Sequence, residues 1–168
     1  ETAIISIDSV SGADATESGT QSVTITVTED ESTPVVTLAT SATTIAEDAG
    51  SSLTLTATLS VATTEDVIVG ISTSGTGTEG TDYAAISDIT ILAGQLTGTA
   101  SFTPTDDSIY EGNETGVVAI SSVSGADATE SGTQSVTITI TENESAPVVT
   151  LATSDSSIAE NAGSSLTL

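Results

Sequence analysis

Apolar and hydroxyl side chains alternate in Ser51-Ser52-Leu53-Thr54-Leu55-Thr56-Ala57-Thr58-Leu59. This period of two places the leucines and Ala57 on one face of a strand and the threonines on the other. Residues 66–71, 115–123 and 134–141 repeat the pattern. Turn residues separate about seven such segments at intervals of about 8 to 12 residues. The sequence therefore predicts an all-β fold without helices, an antiparallel β-sandwich of immunoglobulin-like type.

Three local features extend this prediction. Residues 35–39 and 45–47 are expected to form one first strand with a break between them. The turn Ala93-Gly94-Gln95, which carries the expected glycine, is predicted to join its flanking segments as a β-hairpin. Tyr83 and Tyr110 are predicted to pack at sheet corners.

The sequence repeats itself with a period of 113 residues. Residues 1–55 align without a gap on residues 114–168, and 43 of the 55 positions are identical. A unit of this size can bury its own core, which favours tandem modules over a solenoid. The predicted organisation is the C-terminal strands of one repeat in residues 1–33, a complete repeat in 34–146, and the N-terminal strands of a following repeat in 147–168.

The charge of the chain excludes several functions. There are 24 acidic residues and no Lys, Arg or His, so the formal net charge is -24. This charge opposes binding to nucleic acid and direct contact with an anionic membrane. The apolar runs are too short for a transmembrane helix. Without His, Lys, Arg or Cys there is no ordinary base-activated nucleophile, so the chain is not expected to be an enzyme.

Acidic residues cluster in Thr105-Asp106-Asp107-Ser108-Ile109-Tyr110-Glu111-Gly112-Asn113-Glu114, where four carboxylates fall within nine residues. Carboxylates held together raise one another's pKa and weaken the fold unless a cation joins them. Oxygen ligands favour Ca²⁺, and the absence of His and Cys makes zinc or copper unsuitable. The alternative interpretation is a solvated, self-repelling linker that keeps the chain soluble.

Four motifs within residues 34–146 resemble the Calx-β family: Ile45-Ala46-Glu47-Asp48-Ala49-Gly50, Gly80-Thr81-Asp82-Tyr83, the loop that begins at Asp106, and Glu142-Asn143-Glu144. The resemblance implies a β-sandwich that binds calcium at one pole. The ligands that it implies are Glu47, Asp106, Asp107, the Ile109 carbonyl, Glu111, Glu114, Glu142 and Glu144. Their equivalents in the flanking repeats are Glu1, Glu29, Asp30, Glu31 and Glu160. Ser74 is interpreted as replacing a loop aspartate that binds metal in the exchanger modules of the family.

Near-identical, Thr-rich repeats of this kind look like those of giant adhesins on gliding Bacteroidetes. The resemblance implies a calcium-stiffened stalk or filament segment of an extracellular adhesin on a bacterial cell surface, used in adhesion and gliding motility. Its expected partners are neighbouring repeats, with a surface ligand or glycan bound elsewhere in the parent protein. One alternative is a calcium-responsive regulatory binding module. Another is a glycan-binding or ice-binding module that uses the Thr-rich sheet faces.

Overall fold

A computed structural model describes residues 1–28, 30, 32–161, 163 and 165–168. The chain divides into two compact units, Glu1–Thr33 and Pro34–Leu168. The described residues contain strands and no helix, which confirms the all-β prediction. Accordingly, none of them forms a helix with the length and apolarity needed to cross a membrane.

The first unit contains one antiparallel pair of strands, β1 (Thr2–Ser6) and β2 (Ser22–Thr26), and every residue of both strands is exposed. In the second unit, the described residues form nine strands in two sheets. One sheet has the order β10-β3-β5-β8 and the other has the order β4-β11-β9-β6-β7. The bounds are β3 (Val35–Thr40), β4 (Thr44–Ala46), β5 (Leu53–Leu59), β6 (Val67–Gly75), β7 (Ile89–Ile91), β8 (Thr97–Phe102), β9 (Glu114–Ser124), β10 (Thr129–Glu130) and β11 (Ser135–Thr141).

The core of the second unit lies between these two sheets. Leu55, Ala57 and Leu59 of β5 are buried, as their alternation with threonine predicts. The threonines of β5 stand opposite Thr97, Thr99 and Ser101 of β8 on the solvent side of the sheet. The aromatic rings of Tyr83 and Phe102 stack at the edge of the core, with centroids 4.7 Å apart.

The turn around Gly94 forms as predicted, but the prediction that its flanking segments pair with each other as a hairpin is wrong. The turn itself forms, because the Gln95 N–H donates to the Leu92 carbonyl and Gly94 adopts a positive φ of 77°. However, β7 pairs with β6 and β8 pairs with β5, so the turn carries the chain from one sheet to the other. Burial of both Ile89 and Ile91 against the core fixes β7 beside β6.

Two smaller expectations also change. The predicted first strand is two strands in different sheets, because β3 pairs with β5 whereas β4 pairs with β11. Its break is therefore a sheet crossing. Tyr83 is buried as predicted, but the packing role predicted for Tyr110 is wrong, since that side chain is 45% exposed.

The chain enters and leaves the sandwich at opposite ends. Pro34 precedes β3 and its carbonyl accepts a hydrogen bond from Thr129, beyond the far end of β9. At the other end, the final residues of β11 lie beside Ile45 of β4 and Glu114, the first residue of β9. We call these ends the N-terminal pole and the C-terminal pole.

Candidate metal centre

Three glutamates meet at the C-terminal pole. Glu47 follows β4 directly, whereas Glu142 and Glu144 follow β11. Since β4 and β11 are parallel, their ends coincide, and the Glu47 N–H donates to the Thr141 carbonyl at 3.0 Å. One carboxylate oxygen from each of the three glutamates lies within 4.8 Å of the other two.

A second acidic group lies at the same pole and consists of Asp82, Glu111 and Glu114. Its carboxylate oxygens also lie within 4.8 Å of one another. A tight turn holds Asp82, whose carboxylate accepts the Thr78 N–H at 2.6 Å, while its carbonyl accepts the Thr105 N–H at 2.9 Å. The following residue is the buried Tyr83, so the stacked aromatic pair anchors this turn to the core.

The two groups adjoin each other through Glu142. Its Oε2 atom accepts hydrogen bonds from the N–H groups of Glu111 and Gly112, both at 2.7 Å. Gly112 has a φ of 81°, a conformation that glycine adopts without the strain of a Cβ atom. Six carboxylates from four parts of the module therefore share one pole.

Crowding perturbs the acids of this pole. Loss of solvent raises the pKa of Glu47, Glu111 and Glu114, and repulsion between carboxylates raises each further. The carboxylate of Glu142 repels that of Glu47. The carboxylate of Asp82 repels those of Glu111 and Glu114. Raised pKa values with these causes show that negative charge at this pole is poorly compensated by the protein itself.

Glu142 and Glu144 behave as a coupled pair. Interaction with the Glu142 side chain is the larger cause that raises the pKa of Glu144 to about 7, and loss of solvent is the next. The pKa of Glu142 is lowered to about 2. The backbone N–H of Glu144 is the largest cause, and the Glu144 side chain is the second. The two carboxyl groups therefore titrate as a coupled pair, in which Glu144 takes up a proton at higher pH than Glu142.

The donors of the two groups fit an oxygen-preferring metal ion. Every side-chain donor in them is a carboxylate, and the whole chain has no Lys, Arg or His to neutralise them. In addition, Oε2 of Glu144 is buried and has no hydrogen-bond partner among the described residues. A buried polar atom without a partner costs free energy, and a bound cation would supply that partner.

The structure brings together five of the residues implied by the resemblance, namely Glu47, Glu111, Glu114, Glu142 and Glu144. Asp106 and Asp107 lie outside both groups, although their charges contribute to the raised pKa of Glu47. The Asp107 carboxylate accepts the N–H of Ile109, whose side chain is exposed. A role for these three residues in metal binding stays a prediction.

The equivalents in the flanking repeats stay predictions as well. Glu1 lies directly before β1, and Asp30 and Glu160 are exposed. Glu29 and Glu31 lie outside the described residues.

Asp82 was not among the ligands expected from the sequence. Ser74 was interpreted as the loop position, but it belongs to the β6–β9 ladder, where it is paired with Val117 and exposed. Asp82 occupies the acidic group instead. The sequence feature that could have indicated Asp82 as a candidate ligand is its position between the glycine-rich loop and an aromatic residue. This position places the acid where a surface turn meets the core.

Comparisons with known proteins support the fold. No family model matches the chain, and no curated protein matches it. Among solved structures, the apo-form Calx CBD1 domain matches with a TM-score of 0.53 and 15% identity, over 67% of this chain and 99% of that one. The structure of CBD12 from CALX1.2 matches with a TM-score of 0.50 and 16% identity, over 58% of this chain and 40% of that one. The chain thus has a Calx-β-like β-sandwich fold.

Proposed function

We propose that this chain is a calcium-binding stalk or filament segment of a large repeat adhesin on a bacterial cell surface. The observation that carries the proposal is the position of the six carboxylates. They gather where the polypeptide leaves the sandwich, and the last two of them, Glu142 and Glu144, belong to the departing segment itself.

Calcium suits this pole because it takes 6 to 8 oxygen ligands in flexible geometry. Glu47, Glu142 and Glu144 form one candidate ligand group, and the group of Asp82 forms another. The charge of the ion would offset the repulsion that raises the pKa values of these acids. Magnesium demands a tighter octahedron, and an irregular set of carboxylates is less suited to it.

A structural role follows from where the bound ion would act. It would tie the departing residues Glu142 and Glu144 to Glu47, which follows β4 in the body of the same module. Without the ion, repulsion between these carboxylates would loosen the exit segment. Because the chain enters and leaves at opposite poles, each repeat would add roughly 40 Å to an extended array, given ~10-residue strands and their loops.

The proposed partners are neighbouring repeats of the same polypeptide. In such an adhesin, a surface ligand or glycan would be bound elsewhere in the parent protein, and the array would serve adhesion and gliding motility. The net charge of -24 keeps the segment away from nucleic acid and anionic membranes. An extracellular location also suits the proposed ion, which is abundant outside cells.

Calcium titration of the 168-residue chain tests the first half of the proposal. Isothermal calorimetry should show saturable binding, and the unfolding temperature should rise with calcium and return after chelation. Magnesium at equal concentration is the control and should produce a smaller rise. Absence of both heat and thermal stabilisation would contradict calcium binding.

Small-angle scattering from a chain of three tandem repeats tests the structural half. We expect a longer and narrower distribution of interatomic distances with calcium than after chelation. An identical distribution in both conditions, despite calcium binding by calorimetry, would contradict the stiffening role and favour a regulatory module.

A further inference from the structure

Two carboxylates of the second acidic group come from different elements of one sheet. Glu114 begins β9, whereas Asp82 lies in the loop that follows β6. The ladder between β6 and β9 ends where Gly75 stands opposite Gly116. Because the chain has no basic side chain to offset the repulsion between the two carboxylates, neutral contacts must hold the loop beside β9.

Thr76 and Thr115 make such contacts just beyond the last pair of this ladder. The Thr115 N–H donates to the Thr76 hydroxyl at 2.9 Å, and the Thr76 N–H donates to the Thr115 hydroxyl at 3.2 Å. The two hydroxyl oxygens are 3.3 Å apart. The Gly77 N–H also donates to the Thr115 carbonyl, at 3.0 Å. We call this set of contacts the Thr76–Thr115 bridge.

On one side, the bridge lies against Glu114. Thr115 directly follows this residue in β9. A Cβ atom added to Gly77 would lie 3.5 Å from the Glu114 Oε2 atom, so the loop passes beside this carboxylate. A Cβ atom added to Gly75 would lie only 2.1 Å from the Thr115 carbonyl oxygen, so the two backbones are in close contact. Displacement of the loop would therefore change the surroundings of the Glu114 carboxylate.

On the other side, the bridge is connected to Asp82 through Thr78, which lies two residues after Thr76. The Thr78 N–H donates to the Asp82 carboxylate at 2.6 Å, and the Thr78 carbonyl accepts the Asp82 N–H at 2.9 Å. Three consecutive residues, 76–78, thus link the strand that carries Glu114 to the turn that carries Asp82. The bridge therefore fixes the place from which this turn begins.

We propose that Thr76 and Thr115 are positioning residues, which hold the carboxylates of Asp82 and Glu114 together for a calcium ion without binding the ion themselves. Their hydroxyl groups are neutral, so the bridge opposes the repulsion between the carboxylates and adds no charge to the pole. This inference rests on the proposed calcium function. It deepens that function, because it assigns the arrangement of one candidate ligand group to two threonines rather than to an acid.

Valine substitution in the 168-residue chain tests the bridge, because valine keeps the branched shape of threonine and lacks the hydroxyl group. In calorimetry, Thr76→Val or Thr115→Val should weaken calcium binding by about threefold to tenfold, and the double variant should weaken it little further. Thr76→Ser keeps the hydroxyl group and should restore most of the affinity. Thr56→Val combined with Thr99→Val is the matched control, because these two threonines are cross-strand neighbours in the other sheet.

Two further measurements separate positioning from a general effect on stability. A merely structural contact would lower the unfolding temperature equally in chelator and in calcium, whereas loss of positioning also reduces the rise that calcium produces. In chelator, the Thr78 amide hydrogen should exchange faster in Thr76→Val than in the control, because its partner is the Asp82 carboxylate. Unchanged calcium affinity, unchanged exchange, or an equal loss of affinity in the control would each overturn the proposal. Absence of calcium binding by the unsubstituted chain would overturn the proposed function as well.

Discussion

The Glu144 N–H donates a 3.0 Å hydrogen bond to the carboxylate of Glu142, so the two acidic residues that follow β11 are held against each other. Backbone N–H groups of Glu111 and Gly112 also converge on Glu142, which keeps that residue ionised. The pKa of Glu144 is raised to about 7, so its carboxyl group is where a proton and a metal ion would compete.

The stability of the calcium-free protein should fall as the pH rises from about 4.5 to about 7. The folded protein favours protonated Glu144, so its contribution is complete below the ordinary value of 4.5 and is lost as the pH rises through about 7. Glu142 contributes oppositely, but its change is confined to lower pH. Thermal unfolding in chelator should therefore show a falling midpoint, and Glu144→Gln should flatten this fall. A midpoint that rises over the interval in the unsubstituted protein would contradict the prediction.

Calcium affinity should follow the opposite trend. Binding requires deprotonated carboxylates, so the dissociation constant should decrease between about pH 5 and pH 7.5 as Glu144 loses its proton. Calorimetry near pH 6 in buffers of different ionisation enthalpy should detect proton release. Equal observed heats in all buffers would show that no proton leaves on binding.

Asp82→Asn should weaken calcium binding by at least about tenfold, because it removes one of three converging carboxylates. The turn should persist, since the amide oxygen can still accept the Thr78 N–H. Asp48→Asn is the matched control: Asp48 is exposed, lies outside both acidic groups, and is Asn161 in the following repeat. Comparable losses in the two variants would indicate a general effect of charge rather than a ligand role for Asp82.

Asp106→Asn combined with Asp107→Asn should lower the pKa of Glu47, because both charges repel that carboxylate. The calcium-induced rise in unfolding temperature should become smaller, whereas the calcium-free fold should remain intact. NMR titration of the Glu47 carboxyl carbon, with calorimetry on the same variant, would separate the two effects. A full calcium response would remove these aspartates from the candidate ligands.

Gly116→Ala should destabilise the complete module by about 1–3 kcal/mol. A Cβ atom at this buried position would lie 2.7 Å from the Phe102 ring, which is stacked on Tyr83. The counterpart of Gly116 in the preceding repeat is Ala3. Val117→Ile, which also introduces the preceding repeat's residue, is the control for denaturant unfolding. Equal stability of both variants would show that the aromatic pair adjusts freely.

The fold was largely predictable because most inner-face positions alternate strictly with polar ones. The period alone places Leu55 on the apolar face of its strand, and its side chain is fully buried. The pairing around Gly94 was not predictable, because a short turn is compatible with either a hairpin or a sheet crossing. Burial of Ile89 and Ile91 decides between them, and that depends on contacts distant in the sequence.

The candidate metal site was only partly predictable from the sequence. Acidic motifs identified Glu47 and Glu142, but the pattern did not indicate which loop residues would approach them. Asp82 reaches the pole through the turn that Tyr83 anchors, whereas the nearby Ser74 is held in a strand ladder. Such a difference of placement arises from tertiary packing and carries little local sequence signal.

The parallel pairing of β4 with β11 has a consequence for tension. A pull applied between Pro34 and Glu144 drags β4 toward the N-terminal pole and β11 toward the C-terminal pole, so their hydrogen bonds are loaded in shear and must rupture together. Glu47 and Glu142 stand at the adjacent ends of these two strands. A cation bound between Glu47 and Glu142 would link the two strands at the ends where they are sheared apart. Chelation would therefore lower the force at which the module unfolds.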